Sequence, residues 1–302
     1  MQEDKHTLNQ VNHHKNTGIE IAILSALLYS LYPPVAKVLL HNYCPPVVLV
    51  ALLYSGTGIG MLIVIPIINR NSDTNRHEQS LQKKDTLTLT GVIVANVIAG
   101  ILMNYGIVYS NAASASLLGN FETVATAFLA ATLFHEFVNR KLWVAIAIIF
   151  IASCLLSINE SKDLTLSWGS ILVILATVCW GLENNFTKVL STRDPLQVVL
   201  VKGLGVGLVS LLISILSHER WPSLTVVILA GALGFISFGL SIFYYILAQR
   251  YIGAAKTSAY YAIAPFLSVL LAIIFLGEPI TLHFALALLL MILGSYLVAE
   301  AS

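Results

Sequence analysis

Apolar runs about as long as a bilayer is thick recur along almost the whole chain, and in hydrocarbon such runs have few conformations open to them. Lipid offers no partner to a bare N–H or C=O, so each run must close its backbone hydrogen bonds within a helix or join a closed barrel. Runs of roughly 20 residues have helix length, about twice that of a barrel strand. We place ten spans, at about residues 19–40, 46–69, 87–108, 112–134, 142–158, 167–190, 196–216, 225–247, 256–276 and 281–299. Composition agrees: of 302 residues, 57% are hydrophobic and 10% charged, against roughly 25% charged in soluble domains. The expected fold is therefore an all-α integral membrane bundle with no soluble domain.

The polar segments punctuate that bundle. Residues 1–18 read as a disordered tail, and the apolar run behind them, about 22 long, exceeds the roughly 7–15 residues of a signal-peptide core. Arg70–Thr86 reads as a mobile loop and residues 159–166 as a linker. A net charge of +1 gives no basic field for nucleic acid. Cys44, Cys154 and Cys179 sit in or beside apolar segments as packing residues, and His6, His13 and His14 belong to the tail. No HExxH, GxSxG, DxxD or Cys/His cluster stands in the sequence, so neither an enzyme, a metal site nor a cofactor is expected.

The chain also repeats itself. Tyr109–Glu136 aligns without a gap on Tyr251–Glu278, with seven of 28 pairs identical, both end residues among them. Tyr29 and Lys37 match Trp180 and Lys188; Gly56, Gly58 and Gly60 match Gly203, Gly205 and Gly207. Residues 19–158 and 167–299 thus form two five-helix repeats around the 159–166 linker. With the N-terminus inside, ten Lys and Arg residues fall on cytoplasmic segments, and Lys162 and Arg220 fall outside. That asymmetry places both termini in the cytoplasm. Five spans is an odd number, so the second repeat is inverted relative to the first, an arrangement suited to alternating access.

Ionisable groups at bilayer depth cost at least about 2.5–3.5 kcal/mol, so each implies a partner, a wet cavity or a function. Glu122 lies near the middle of the fourth span and Glu183 in the second half of the sixth. Proton exchange or pairing with a substrate amino group suits either one; a structural hydrogen bond or an ion pair with a nearby Lys is the alternative. Trp180, Glu183, Asn184 and Thr187 share one helical stripe, since they fall at i, i+3, i+4 and i+7. Such a stripe can hold an amphipathic solute, while Asn185 points away as a structural residue. The matching face of the first span carries Tyr29, Tyr32, Pro33 and Ala36, with Lys37 beside it. Pro33 and Pro34 free backbone carbonyls and bend that helix, as part of a site or as a packing kink.

Lys37 and Lys188 lie near span ends, where a long stem carries the ammonium to the interface or gates the pathway. Lys202 and Lys256 read as cytoplasmic-side anchors by the same argument. Asn96, Asn104 and Asn120 supply hydrogen bonds between helices. The paired glycine series allow close helix contact, and Glu136 and Glu278 read as caps or interfacial groups at mirrored helix ends.

These features resemble the drug/metabolite transporter superfamily, in its EamA type with two five-helix repeats. The likeness rests on the spacing Tyr29 to Lys37 and Trp180-Gly181 to Lys188. It rests further on Gly253-Ala254-Ala255, Ala264-Pro265-Phe266, Gly277-Glu278-Pro279 and Gly294, and it covers about residues 19–299. The fourth span departs from the pattern, having no proline and placing Glu122 one position before Thr123, which aligns with Pro265. The resemblance implies that spans one, three, four, six, eight and nine surround the pathway. Tyr244, Tyr245, Tyr260, Tyr261 and Pro265 then line an aromatic cavity, tyrosine belts at the interface being the alternative. The function so implied is secondary transport, by export across a bacterial cytoplasmic (inner) membrane, of a small amphipathic metabolite such as an amino acid. A membrane-embedded enzyme and a channel are the alternatives from other classes, and the oligomeric state is left open.

Overall fold

The computed structural model describes residues 2–301 apart from 43, 72–78, 134, 136–138, 158–166, 191 and 253. Within them the chain is helical throughout, with an isolated bridge between Gln79 and Arg193 and no named strand. The helices are α1 (Gln2–Ser30), α2 (Tyr32–His41), α3 (Pro46–Asn71), α4 (Thr86–Tyr109), α5 (Ala112–Leu118), α6 (Phe121–Leu133) and α7 (Arg140–Ser157). They continue as α8 (Trp168–Val189), α9 (Pro195–Leu216), α10 (Leu224–Gly234), α11 (Ser241–Ile252), α12 (Ala254–Tyr261), α13 (Ala264–Leu276) and α14 (Leu282–Ala301). Among the described residues eight stretches are long and apolar enough to cross a membrane, while Ala264–Leu276 and Leu282–Val298, where the last two spans were expected, are shorter apolar helices. Large apolar side chains such as Ile63, Leu212, Ile274 and Leu289 are exposed, as suits a multi-pass membrane protein whose outer surface meets lipid.

Helix α1 reaches back to Gln2, so the stretch expected to be a disordered tail is described as helix. Gln2, Glu3, Lys5, Leu8 and Gln10 are all good helix formers. Between α1 and α2 the chain turns at Leu31, because Pro33 and Pro34 bring no N–H to the carbonyls of Tyr29 and Ser30. Pro265 interrupts the ninth span in the same way, between α12 and α13. The fourth span breaks at Gly119–Asn120, the equivalent position, although no proline stands there. Gly119 N–H bonds the carbonyls of Ala115 and Ser116, and Asn120 N–H bonds that of Leu117, so the helix tightens and stops. Within the eighth span, Phe235–Leu240 widens into a π-helical turn.

Packing joins the two halves of the sequence pairwise. Ser55 lies against Gly207 and Gly58 against Gly203, so α3 and α9 run antiparallel. Gly106 meets Gly169 and Val173 while Gly91 meets Phe186, which makes α4 and α8 antiparallel. Their counterparts α11 and α1 are antiparallel too, with Ser25 bonded to Ser241 and Gly18 near Ile252. Likewise α5 meets α13 at Ser116–Ser268 (2.8 Å), and Glu278 just past the end of α13 at Ala112 (2.7 Å), and α7 packs on α14. Exchanging the halves reproduces this set of contacts, and the main core cluster draws on both, from Leu49 and Ile107 to Val206 and Met291.

The expected mobile loop is partly tied down. Buried Arg193 forks onto Asp85, with Nε 2.8 Å from Oδ2 and Nη2 3.1 Å from Oδ1, and its Nη1 donates to Gln79 Oε1 at 2.6 Å. Gln79 also exchanges backbone hydrogen bonds with Thr192 and Asp194. Residues 79–85 are therefore fastened to the α8–α9 connection; residues 72–78 of the expected loop lie outside the described residues, as do the 159–166 linker and Glu136.

A Cβ on Gly203 would stand 2.8 Å from Gly58 N, whereas one on Gly231 would meet nothing within 4 Å. Gly203→Val is expected to lower stability by roughly 1–3 kcal/mol through overpacking, and Gly231→Ala to leave it near that of the parent. Thermal unfolding in detergent checks this; equal midpoints for the two variants would remove the close α3–α9 contact.

Candidate functional site

A cavity of about 460 Å³ lies at the centre of the bundle, within the range of small-molecule sites. Both sequence halves build its walls: Tyr29, Asn96 and Glu122 from the first, Trp180, Lys202 and Tyr261 from the second. The helix interruptions converge on it. Pro33, Gly119–Asn120, Pro265 and Phe238 of the π-helical turn are all lining positions, where irregular backbone at membrane depth is tolerated because it faces a cavity.

Two carboxylates sit side by side in different company. Glu122, in the first turn of α6, accepts a 2.7 Å hydrogen bond at Oε1 from Asn184 Nδ2, which also donates to Thr126 Oγ1 at 3.1 Å. Glu183, one residue earlier on α8, is engaged at Oε1 by Thr187 Oγ1 at 2.6 Å and by Lys202 Nζ at 3.3 Å. The ion pair is largely shielded, its side chains 20% exposed at Lys202 and 7% at Glu183. So Glu183 has a cationic partner, whereas Glu122 is met by a neutral amide.

Aromatic rings form another part of the wall. Phe238 is the hub, with its ring centroid 4.9 Å from Tyr32, 5.4 Å from Tyr54 and 6.1 Å from Tyr29. Tyr261 extends the wall, 5.6 Å from Tyr29 and 5.0 Å from Tyr245. Two of these phenols are fixed by asparagines of α4: Tyr54 Oη donates to Asn96 Oδ1 and Tyr32 Oη to Asn104 Oδ1, both at 2.9 Å.

The cavity continues into a second hollow of about 670 Å³ that shares Glu122, Glu183, Asn184 and Lys202 and reaches Leu190, Gln249 and Arg250. It leads to the bundle end where α8 and α11 finish. The opposite end, where α2 and α4 finish, is bridged by charge. Lys37 Nζ donates to the carbonyls of Ile107 (2.6 Å) and Ser110 at the end of α4. The Glu278 carboxylate accepts from the amides of Ala112 and Ala113, each at 2.7 Å, at the start of α5. An ammonium at a helix C-terminus and a carboxylate at an N-terminus both complement the peptide dipoles.

The structure thus brings together Tyr29, Pro33, Glu122, Trp180, Glu183, Asn184, Tyr261 and Pro265 on the cavity wall and puts Thr187 in the adjoining hollow. Other expected site residues stand apart. Asn104 joins α2 to α4 and also donates to the Pro46 carbonyl at 3.4 Å. Lys37 sits in the bridge just described, and Lys188 is exposed in the last turn of α8. Tyr244 packs its ring 5.1 Å from Phe243, and neither it nor Tyr260 is among the lining residues. Asn185 bonds the carbonyls of Gly181 and Thr126, a structural role. Lys202, expected as a cytoplasmic-side anchor, instead turns inward, because Glu183 on the neighbouring helix offers a charge partner away from water. Phe238, Tyr54 and Asn120 also line the cavity; polar identity within an apolar run was a signal for Asn120, but nothing in the sequence marks the π-helical turn that presents Phe238. Among the described residues no group of three or more His, Cys, Asp or Glu could hold a metal.

Comparison with known proteins points one way. The sequence profile of the EamA-like transporter family matches residues 16–158 and again 167–299. The uncharacterized transporter YyaM of Bacillus subtilis (strain 168) is 23% identical over 249 residues, covering 79% of this chain and 80% of that protein. An uncharacterized transporter of Methanothermobacter thermautotrophicus is 27% identical over 242 residues, covering 78% of this chain and 69% of that one. A solved crystal structure shares the fold with a TM-score of 0.65 at 17% identity, over 93% of this chain and 95% of its own.

Removing one partner of a buried ion pair leaves an uncompensated charge and costs about 3–5 kcal/mol. Lys202→Met is therefore expected to lower the unfolding midpoint markedly and Lys202→Met with Glu183→Gln to recover much of the loss. Thermal unfolding of the purified variants measures both. An additive double variant would mean the two side chains do not interact.

Proposed function

Because the chain belongs to the EamA-like transporter family, we propose that the central cavity is the substrate site of a secondary transporter exporting small amphipathic metabolites that carry an amino group, as amino acids do. The observation that carries this reading is the placement of Glu122 and Asn184 in one cavity with a wall of aromatic rings, adjoining a hollow at one end of the bundle. The carboxylate recognises an ammonium, the rings cover an apolar body, and solute and proton compete for the same oxygen atoms.

Alternating access follows from the ten spans forming two inverted repeats, residues 19–158 and 167–299. Equivalent helices run antiparallel, α3 against α9 and α5 against α13, which supports inversion. The excess of Lys and Arg on one side assigns the end where α8 and α11 finish to the cytoplasm, in a bacterial inner membrane with both termini inside. The cavity is then connected to the cytoplasm, where an exporter loads, and Lys37 and Glu278 hold its outer end. The channel reading is weaker, since among the described residues the intramembrane charges gather at one cavity, two of them paired, and form no ring.

In proteoliposomes, solute flux is expected to saturate and to grow with an opposing proton gradient. Glu122→Gln is expected to lower it about 10- to 100-fold, the worth of a hydrogen bond to a charged group, while the protein still inserts. Transport unchanged across a pH series in both Glu122→Gln and Glu183→Gln would exclude proton coupling there; turnover of a lipid or peptide without vectorial flux would sink the transporter reading. The outer bridge makes a separate prediction. With a single cysteine at Thr123, Glu278→Gln is expected to increase labelling by an impermeant thiol reagent from outside at least severalfold, and unchanged labelling would deny Glu278 a part in closing that end.

A further inference from the structure

Charge balance inside the cavity sharpens the substrate. The described acidic and basic lining residues are Glu122, Glu183 and Lys202. Lys202 is committed to Glu183 at 3.3 Å, and Thr187 donates to the same carboxylate. Glu122 is left with amide donation from Asn184, so with Glu122 ionised the empty site carries one net negative charge. Tyr29 and Tyr261 line the same cavity and belong to a run of rings whose centroids lie 4.9–6.1 Å apart. Ring faces attract a cation within about 6 Å of their centroids, and they pair poorly with a carboxylate. A zwitterion brings a carboxylate whose cationic partner here would be Lys202, already neutralised.

We propose that the cavity selects an amphipathic monocation, an arylalkyl amine without a carboxyl group, over the matching amino acid, and that the Glu183–Lys202 pair sets this selectivity by keeping Lys202 from the substrate. The inference rests on the transporter reading and narrows its substrate class. It gives the two neighbouring glutamates separate tasks: Glu122 meets the ammonium, and Glu183 holds back the lysine that would otherwise receive a carboxylate. A monocation replaces one proton on Glu122 without altering the charge of the filled site, whereas a zwitterion would leave that site one charge more negative.

The test holds the apolar body constant and varies charge: 2-phenylethylamine, phenylalaninamide, phenylalanine and 3-phenylpropionate, titrated against the purified full-length protein by thermal shift and calorimetry at neutral pH. The two cations are expected to bind about tenfold or more tighter than phenylalanine, and phenylpropionate not to bind. Glu122→Gln is expected to abolish binding of the amines. Glu183→Gln releases Lys202 and makes the cavity neutral, so it is expected to bring phenylalanine up to or above phenylethylamine. Should Glu183→Gln be too unstable to purify, the ligand series on the parent protein and on Glu122→Gln decides the matter alone. Phenylalanine binding the parent as tightly as the amines, or amine binding that survives Glu122→Gln, would overturn the proposal. Flux of the same compounds into proteoliposomes separates the two levels: transported phenylalanine with no amine preference defeats the charge selection and leaves the transporter, whereas tight amine binding with no flux of any compound defeats the transporter and leaves the site.

Discussion

A polar group in hydrocarbon must find its partner within the protein, and the arrangement of this bundle follows from that constraint. Buried side chains of Ser25, Tyr32, Tyr54, Asn96, Asn104 and Ser116 are each hydrogen-bonded, mostly between helices distant in sequence. Among the described residues, Ser210 Oγ is the buried side-chain atom left without a partner. Polar groups therefore gather where helices face one another inside the bundle, while the surface turned to lipid stays apolar. Charges obey the same demand: Glu183 takes Lys202, Lys37 takes carbonyls at a helix end, and Glu278 takes amides at the next helix start.

Small residues make those meetings possible. The glycines of α3 and α9 let two backbones come closer than a Cβ allows, which draws the two halves into one interior. Interrupted helices then open space inside it. Pro33-Pro34, Gly119–Asn120, Pro265 and the π-helical turn each stop a regular ladder at about the same depth, and their lining residues surround one cavity. Backbone irregularity and chemical variety coincide there because a wet cavity is the place within a membrane where both are least costly.

Duplication supplies a scaffold that is nearly symmetric and a lining that is not. Glu122 in the fourth span answers to an alanine in the ninth, and Glu183 in the sixth answers to Tyr32 in the first. Two carboxylates and one lysine thus occupy a site whose ring wall comes from the other helices. The asymmetry extends to the ends of the pathway, since one is bridged at Lys37 and Glu278 while the other adjoins the hollow at Leu190 and Gln249.

Much of this was legible in the sequence, because hydrophobic run length and helical period act locally. Apolar runs marked the helices, the i, i+3, i+4 and i+7 spacing put Trp180, Glu183, Asn184 and Thr187 on one stripe, and Pro33 and Pro265 announced their own breaks. Asn120 and Glu278 carried weaker signals. What only the tertiary structure decided was partnership: that Lys202 turns inward to Glu183 and does not extend to the surface, that Asn184 reaches Glu122 from another helix, that Asn104 serves Tyr32, and that a π-helical turn presents Phe238 to three tyrosines. Such choices depend on which helix lies opposite at a given depth, a distance set by glycine contacts between segments more than 100 residues apart. A linear sequence records what each helix offers; the energy of a buried charge or hydroxyl is settled by what stands across from it.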